Sequence, residues 1–222
     1  MCDARLVLLA LLAAFGPAPA YAVDAGSTLN HVVYCNGYPV GSSVIRFVHE
    51  GDELVVESSA AIKVEIGPLT LFAYQFTSRE VWRGDTLVSL DTKTDDNGRH
   101  MAVTGRAAAD GFHVQGVDGA AIVDPQIRPT SYWREDSMRQ GRLLSTESGR
   151  VLQVTATLTG SSATSRQYHL TGQVKHVLDL NYEGNRLVAV RFQKLGAEIE
   201  FRAADLPAPQ VARAPTEAPT GR

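Results

Sequence analysis

Cysteine is nearly absent from this 222-residue chain, which contains only Cys2 and Cys35. Cys2 lies in an N-terminal segment that we expect to be removed. A disulfide within the mature chain is therefore excluded, and packing has to hold the fold. Cys35 ends the run HVVYC, which favours a buried thiol that packs as a small apolar side chain. A nucleophile or an intermolecular disulfide is the alternative.

The chain also lacks an excess of charge of either sign. Its 21 Lys and Arg residues stand against 24 Asp and Glu residues, for a formal net charge of −3. Nucleic-acid binding requires a basic surface, and a polybasic membrane anchor requires a cluster of Lys and Arg. The composition therefore argues against a nucleic-acid partner and against an anchor of that kind.

Long apolar runs are confined to the N-terminus, where residues 6–15 are all apolar. A membrane-spanning helix needs about 20 such residues, whereas a run of ten is typical of a secretory signal. Ala20, Tyr21 and Ala22 follow the small-x-small pattern of a signal-peptidase site. We predict that residues 1–22 are a removed signal peptide and that the protein is exported, either periplasmic or secreted. No transmembrane segment is expected in the mature chain.

The C-terminal segment has a composition that cannot form a hydrophobic core. Residues 206–222 contain four prolines, several alanines and no aromatic residue, which predicts a disordered tail rich in Pro and Ala. Between the two ends we expect a single β domain over residues 23–205, with its folded part beginning near Leu29.

Apolar and polar residues alternate with a period of two through most of that domain. The pattern is clear in residues 54–66, 174–182 and 198–202, and it indicates antiparallel strands with one face on a core and one in water. Regular turn signals separate the segments, and Asn97-Gly98 is the strongest hairpin signal among them. We predict an all-β fold, a single strongly curved antiparallel sheet that forms a barrel or half-barrel of about a dozen strands.

Residues 122–140 interrupt the alternation. Two prolines and several charged residues surround Tyr132 and Trp133, which predicts a long ordered loop covering one end or face of the sheet. Long ordered loops in compact domains often carry function. No segment has a clear helical period, although residues 138–144 could form a short helical turn.

The strand at residues 73–82 is the strongest candidate for a ligand-binding surface. A period of two places five of its side chains on one face, namely Tyr74, Phe76, Ser78, Glu80 and Trp82. A buried glutamate must be paired, or its pKa rises. In one interpretation Glu80 pairs with Arg134 or Arg128 and fixes the loop to the sheet. In a second, Glu80 lies in a cavity as a ligand anchor or acid–base group, and in a third this face is exposed.

Recognised motifs for metals, nucleotides and nucleophilic catalysis are missing. The six histidines form neither His-x-His nor His-Glu-x-x-His, and there is no Gly-x-Ser-x-Gly or glycine-rich phosphate loop. Residues 95–98 fit a tight hairpin better than a calcium loop, because the later calcium ligands are missing. We therefore expect no metal and no cofactor.

Three motifs resemble an exported bacterial β-sheet family of unknown function. They are TDDNG at residues 94–98, TSYW at 130–133 and LLSTESG at 143–149, with Tyr34, Gly37 and Gly41 upstream. The resemblance spans about residues 29–201 and implies no activity and no catalytic residue. More loosely, the layout is similar to exported half-barrel proteins such as the periplasmic lipoprotein carriers, which wrap a sheet around an apolar cavity. That second likeness is one of architecture, which does not imply function.

Three functions remain open from the sequence. The first is a periplasmic binding or carrier protein for an apolar or lipid-like ligand. Tyr74, Phe76, Trp82 and Trp133 would line its site, and Glu80 or Arg134 would hold a polar head. The second is a non-catalytic protein of the cell envelope that binds another protein. The third is a small hydrolase or isomerase that uses Glu80 or a histidine.

Overall fold

One sheet contains every β-strand of residues 26–206, which are the residues that the computed structural model describes. The strands are β1 (Thr28–Cys35), β2 (Tyr38–Glu50), β3 (Glu53–Ile66), β4 (Leu69–Arg83), β5 (Thr86–Asp96), β6 (Arg99–Ala108), β7 (Gly111–Gly116), β8 (Gly119–Val123), β9 (Arg128–Pro129), β10 (Arg142–Leu144), β11 (Val151–Ser161), β12 (Ser165–Gly172), β13 (Leu178–Glu183), β14 (Arg186–Lys194) and β15 (Ala197–Ala203). A short 3₁₀-helix, Glu135–Arg139, lies between β9 and β10.

The sheet consists of two runs of neighbouring strands, joined where the first and last strands of the chain pair. Strands β1 to β8 pair in succession, as do β9 to β15, and β1 pairs with β15. Every pairing is antiparallel except that of β9 with β10. The edges of the sheet are therefore β8 and β9, which are close in the chain but not paired with each other.

The sheet curves until its two ends approach each other. Laid flat, 15 strands spaced about 4.8 Å apart would span roughly 65–70 Å. Instead the amide N–H of Val117, beside β8, donates to the carbonyl oxygen of Ser148, before β11, at 3.0 Å. Arg150 also forms an ion pair with Asp118 at the same junction. The predicted all-β fold with one strongly curved sheet is confirmed as a half-barrel, with 15 strands rather than about a dozen.

The hairpin between β5 and β6 has the geometry that its sequence predicts. Asn97 and Gly98 have φ values of +58° and +87°, and these two residue types adopt positive φ with the least strain. The Asp95 carboxylate accepts a hydrogen bond from the Gly98 N–H at 2.7 Å. This turn fixes the register in which Asp96 on β5 lies opposite Arg99 on β6.

The segment after β8 folds back over the interior of the half-barrel. Ile127, Trp133 and Met138 are buried, and the Tyr182 hydroxyl of β13 donates to the Tyr132 carbonyl at 2.7 Å. Trp133 packs in one hydrophobic cluster with Phe47, whereas Met138 belongs to a second cluster. The predicted loop is therefore ordered and covers the interior between the two halves of the sheet.

The structure corrects three local predictions. Residues 173–177 do not continue the strand predicted over 174–182; the chain leaves the ladder after Gly172, and β13 begins at Leu178. The helical turn is Glu135–Arg139 rather than residues 138–144. Cys35 is half-buried beside the apolar cluster of Val33, Ile62 and Ile199, so it packs as expected but is not fully enclosed. The predicted signal peptide and residues 207–222 of the predicted tail lie outside the described residues.

Close packing at Gly105 on β6 gives a test of the fold. A Cβ atom there would lie 2.4 Å from Cε1 of Phe112, a ring with no exposed surface. We expect Gly105→Ala to lower the free energy of unfolding by about 1–3 kcal/mol, the usual cost of overpacking, measured by chemical denaturation.

Gly160→Ala is the matched control, since its new Cβ would meet only the flexible side chain of Gln167. Equal stability losses in the two variants would contradict the packing around Phe112.

Candidate functional site

The interior of the half-barrel has two parts, and the inner face of β4 borders both. Successive inner residues lie about 6.6 Å apart, and they run from Tyr74 through Phe76 and Ser78 to Glu80 and Trp82. Glu80 and Trp82 are fully buried in a tightly packed region, whereas Tyr74 and Phe76 border an open cavity. We call the region around Glu80, Trp82 and Trp133 the packed end.

The packed end is organised by one carboxylate oxygen. Oε2 of Glu80 accepts a hydrogen bond from Nε1 of Trp82 at 2.9 Å and another from Nε1 of Trp133 at 3.0 Å. The two indoles meet edge to face with centroids 5.8 Å apart, and Phe47 packs against Trp133 at 5.3 Å. Because Trp133 belongs to the segment after β8, Glu80 fixes that segment to the sheet.

The two arginines predicted as partners of Glu80 bind elsewhere in the same cluster. Arg134 lies over the Trp82 ring at 4.9 Å, and Arg128 lies over the same ring at 5.3 Å. Arg134 also forms ion pairs with Asp85 and Asp136 at 2.6 and 2.7 Å. The expectation that Glu80 holds the loop is thus met, but by two indole N–H groups, and no arginine forms an ion pair with Glu80 among residues 26–206.

Burial dominates the electrostatics of Glu80. Complete removal from water raises the pKa of its carboxyl, and this outweighs the opposing effects of the hydrogen bonds from Trp133 and Trp82, of the nearby Ser131 hydroxyl and of the Arg134 charge. The group is enclosed by side chains and is not among the residues that line the cavity.

The other part of the interior is a cavity of about 280 Å³. Its wall comes from inner positions of β2, β3, β4, β11, β14 and β15 together with residues before and in β13. The wall is mostly apolar: Ile45, Ala60, Ile62, Phe72, Tyr74, Phe76, Leu152, Val174, Leu178, Leu187, Val190, Phe192, Ile199 and Phe201. The period-two pattern of the sequence produces this wall, because every second residue of each strand faces inward.

The floor of the cavity separates it from the packed end. Its polar members are His31, Ser58, Thr130 and Ser131. The Ser58 hydroxyl oxygen is buried without a hydrogen-bond partner. The His31 ring binds the Leu187 carbonyl through Nε2 at 3.0 Å, and burial lowers its pKa. The floor is therefore polar, although the wall above it is apolar.

Charged residues surround the opposite, open side of the cavity, which we call the mouth. It is bordered by Tyr74, Glu147, Lys175, His176 and Lys194. The Lys175 ammonium binds Asp96 at 2.7 Å and Glu147 at 3.1 Å, and the Tyr74 hydroxyl donates to Glu147 at 2.9 Å. Burial alone would lower the pKa of Lys175, but these two carboxylates outweigh it and raise the pKa.

The six residues predicted to bind a ligand fall into two groups. Tyr74 and Phe76 line the cavity, whereas Glu80, Trp82, Trp133 and Arg134 form the packed end beyond the floor. Their role in ligand binding stays a prediction. Sequence reasoning did not select Lys175, His176 or Lys194. The first two were assigned to a strand that does not form, and Lys194 looks like an ordinary strand-end lysine.

Two further findings bear on the chemistry. No group of three or more His, Cys, Asp or Glu side chains that could hold a metal ion occurs within residues 26–206. Over the same residues, no helix combines the length and the apolar character needed to cross a membrane.

Comparison with known proteins gives a family and a fold. The family model described as "Domain of unknown function (DUF6134)" matches residues 32–204. Among solved structures, the chain is similar to a β-barrel-like protein of the domain of unknown function DUF1849 from Brucella abortus. The TM-score is 0.58 and the identity 8%, over 82% of this chain and 97% of that chain. At this identity the likeness shows the fold alone. No curated protein matches the chain.

Glu80 gives a test of the packed end. Because its pKa is raised in the folded state, the folded protein keeps a proton that the unfolded chain has released. The contribution of Glu80 to stability therefore falls as pH rises from the ordinary glutamate value through the folded-state pKa. We expect the stability of Glu80→Gln, relative to the unaltered protein, to rise with pH over that window, measured by urea denaturation at several pH values.

Two further variants complete this test. Glu80→Leu leaves two buried indole N–H groups unpaired and should cost about 2–4 kcal/mol. Glu57→Gln, at an exposed carboxylate of β3, is the matched control. Parallel pH profiles for Glu80→Gln and the unaltered protein would contradict the assignment.

Proposed function

The chain belongs to the family described as domain of unknown function DUF6134, and from that premise we propose that it is a binding protein for a small apolar or lipid-like ligand. The ligand occupies the cavity above the floor. Tyr74 and Phe76 contact it from β4, whereas Glu80, Trp82, Trp133 and Arg134 hold the segment that forms the floor.

The observation that carries this proposal is an unfilled volume where a core would otherwise be. Protein interiors are close-packed, and the packed end of this half-barrel has that character. The cavity of about 280 Å³ lies near the lower limit of about 300–1,000 Å³ for small-molecule sites. The open cavity exposes its apolar wall to water, which costs free energy. An apolar ligand that covers the wall would remove that cost.

Catalysis by Glu80 has less support. A general acid or base must reach within hydrogen-bond distance of its substrate. The Glu80 carboxylate is enclosed by Trp82 and Trp133 and lies outside the cavity lining. A raised pKa that arises from structural burial is not by itself a sign of catalysis.

A second candidate function is supported by the rim around the mouth. The turns that follow β1, β3 and β14 lie at the same end of the sheet as the mouth, and exposed apolar side chains are concentrated there. They are Tyr38 (61% exposed), Leu69 (61%), Leu71 (46%), Val177 (50%) and Leu195 (99%). Exposed apolar patches of this kind often mark interaction surfaces. The alternative proposal is therefore a non-catalytic envelope protein that binds a partner protein through this rim.

Ala60 on β3 gives a direct test of ligand binding in the cavity. Ala60 lines the cavity, so a phenyl ring at that position should occupy ligand volume. We expect Ala60→Phe to weaken binding of the neutral fluorescent probe N-phenyl-1-naphthylamine by about tenfold or more, the equivalent of roughly 1.4 kcal/mol, measured by fluorescence titration.

Ala61→Phe is the matched control, because the adjacent Ala61 is exposed and a ring there leaves the cavity unchanged. Circular dichroism checks that both variants fold. Equal probe affinity in the two variants, or no binding by the unaltered protein, would contradict the proposal.

Export is part of the same proposal. When the full chain is expressed in a bacterial host, we expect the protein in the periplasmic fraction to begin at Val23, as measured by intact mass. Ala22→Arg removes the small residue before the predicted cleavage site and should leave the signal attached. An intact chain retained in the cytoplasm would contradict export.

A further inference from the structure

Lys194 is the least neutralised cation at the mouth. Its ammonium lies 3.6 Å from the nearest carboxylate oxygen, Oδ1 of Asp96, which is beyond hydrogen-bond distance. It rests 3.6 Å from the centre of the Phe72 ring. Lys175, by contrast, has direct hydrogen bonds to both Asp96 and Glu147.

The carboxylates at the mouth bind Lys175 more closely than they bind Lys194. Glu147 accepts from the Tyr74 hydroxyl and from Lys175, and Asp96 accepts from Lys175 at 2.7 Å. Burial lowers the pKa of Lys194, and the neighbouring Lys175 adds to this; Asp96 and Glu147 only partly compensate. A cation that is partly buried, near a second cation and without a carboxylate oxygen within hydrogen-bond distance favours an additional anion.

His176 offers a second donor at the same place. Its ring stacks on Phe192 with centroids 4.9 Å apart, and Phe192 lies two residues before Lys194 on β14. Within the described part of the chain its ring nitrogens have no hydrogen-bond partner. A neutral imidazole still has one N–H to donate, so Lys194 and His176 provide two neighbouring donors above an apolar wall.

We propose that the ligand is an anionic amphiphile whose headgroup, a carboxylate or another single negative charge, binds Lys194 and His176 at the mouth. Its apolar tail extends into the cavity between Phe72, Phe76 and Phe192. This inference rests on the proposed function and specifies the chemical class of the ligand.

The reverse orientation is disfavoured by the floor. The floor offers hydroxyl groups from Ser58 and Ser131 and the ring of His31, whose pKa is lowered by burial. Both lysines among the residues that line the cavity, Lys175 and Lys194, are at the mouth, so a buried anion at the floor would have no positive charge to pair with. The anionic group is therefore assigned to the mouth rather than the floor.

The test compares three single-chain amphiphiles with the same tail: dodecanoate, dodecanol and dodecyltrimethylammonium. Each displaces N-phenyl-1-naphthylamine from the mature protein at pH 8. We expect dodecanoate to bind about tenfold more tightly than dodecanol, the order expected for one charge-assisted hydrogen bond, and the cationic amphiphile to bind most weakly.

Variants of Lys194 test whether this residue causes the preference for dodecanoate over dodecanol. Lys194→Met keeps the apolar stem over Phe72 and should abolish the preference for dodecanoate, whereas Lys194→Arg should retain it. Lys63→Met is the matched control, since Lys63 is exposed on β3 and paired with Glu65 at 2.6 Å. Equal binding of dodecanoate and dodecanol, or a preference that survives in Lys194→Met, would overturn the inference and leave the proposed function standing. Failure of all three amphiphiles and of the neutral probe to bind would overturn both.

Discussion

The Glu80 carboxylate and its two indole donors are the constraint on which the rest of the structure depends. A carboxyl in a dry interior is costly unless it is hydrogen-bonded, and Trp82 and Trp133 supply the bonds at 2.9 and 3.0 Å. Trp82 comes from the sheet and Trp133 from the segment after β8, so the same oxygen joins the two. The residues just before Trp133 then form the cavity floor.

The contrast between the two parts of the interior follows from this arrangement. Aromatic rings, stacked arginines and ion pairs fill the packed end. The other part has apolar inner positions on β3, β4, β14 and β15 but no segment of the described chain to cover them. The packed end thus holds the fold together while the apolar wall of the cavity remains open. This difference between the two parts is the structural basis of the proposed binding function.

Patterns local in sequence were predictable, and contacts between distant segments were not. The period of two on β4 correctly placed Tyr74, Phe76, Glu80 and Trp82 on one inward face, and Asn97-Gly98 correctly marked a tight turn. The partner of Glu80 could not be read from sequence, because Trp133 is 53 residues away and an arginine was equally plausible chemically. Lys175, His176 and Lys194 meet only because residues 173–177 leave the ladder, which the continuing alternation of the sequence concealed.

The proposal that the cavity holds an apolar ligand is tested most directly by native mass spectrometry of residues 23–222, purified without detergent. The account predicts a reproducible adduct that denaturing extraction identifies as a lipid or another apolar molecule. A mass of the unliganded chain alone, unchanged after incubation with a lipid extract, would contradict the proposal. It would favour the alternative function, in which the rim binds a partner protein.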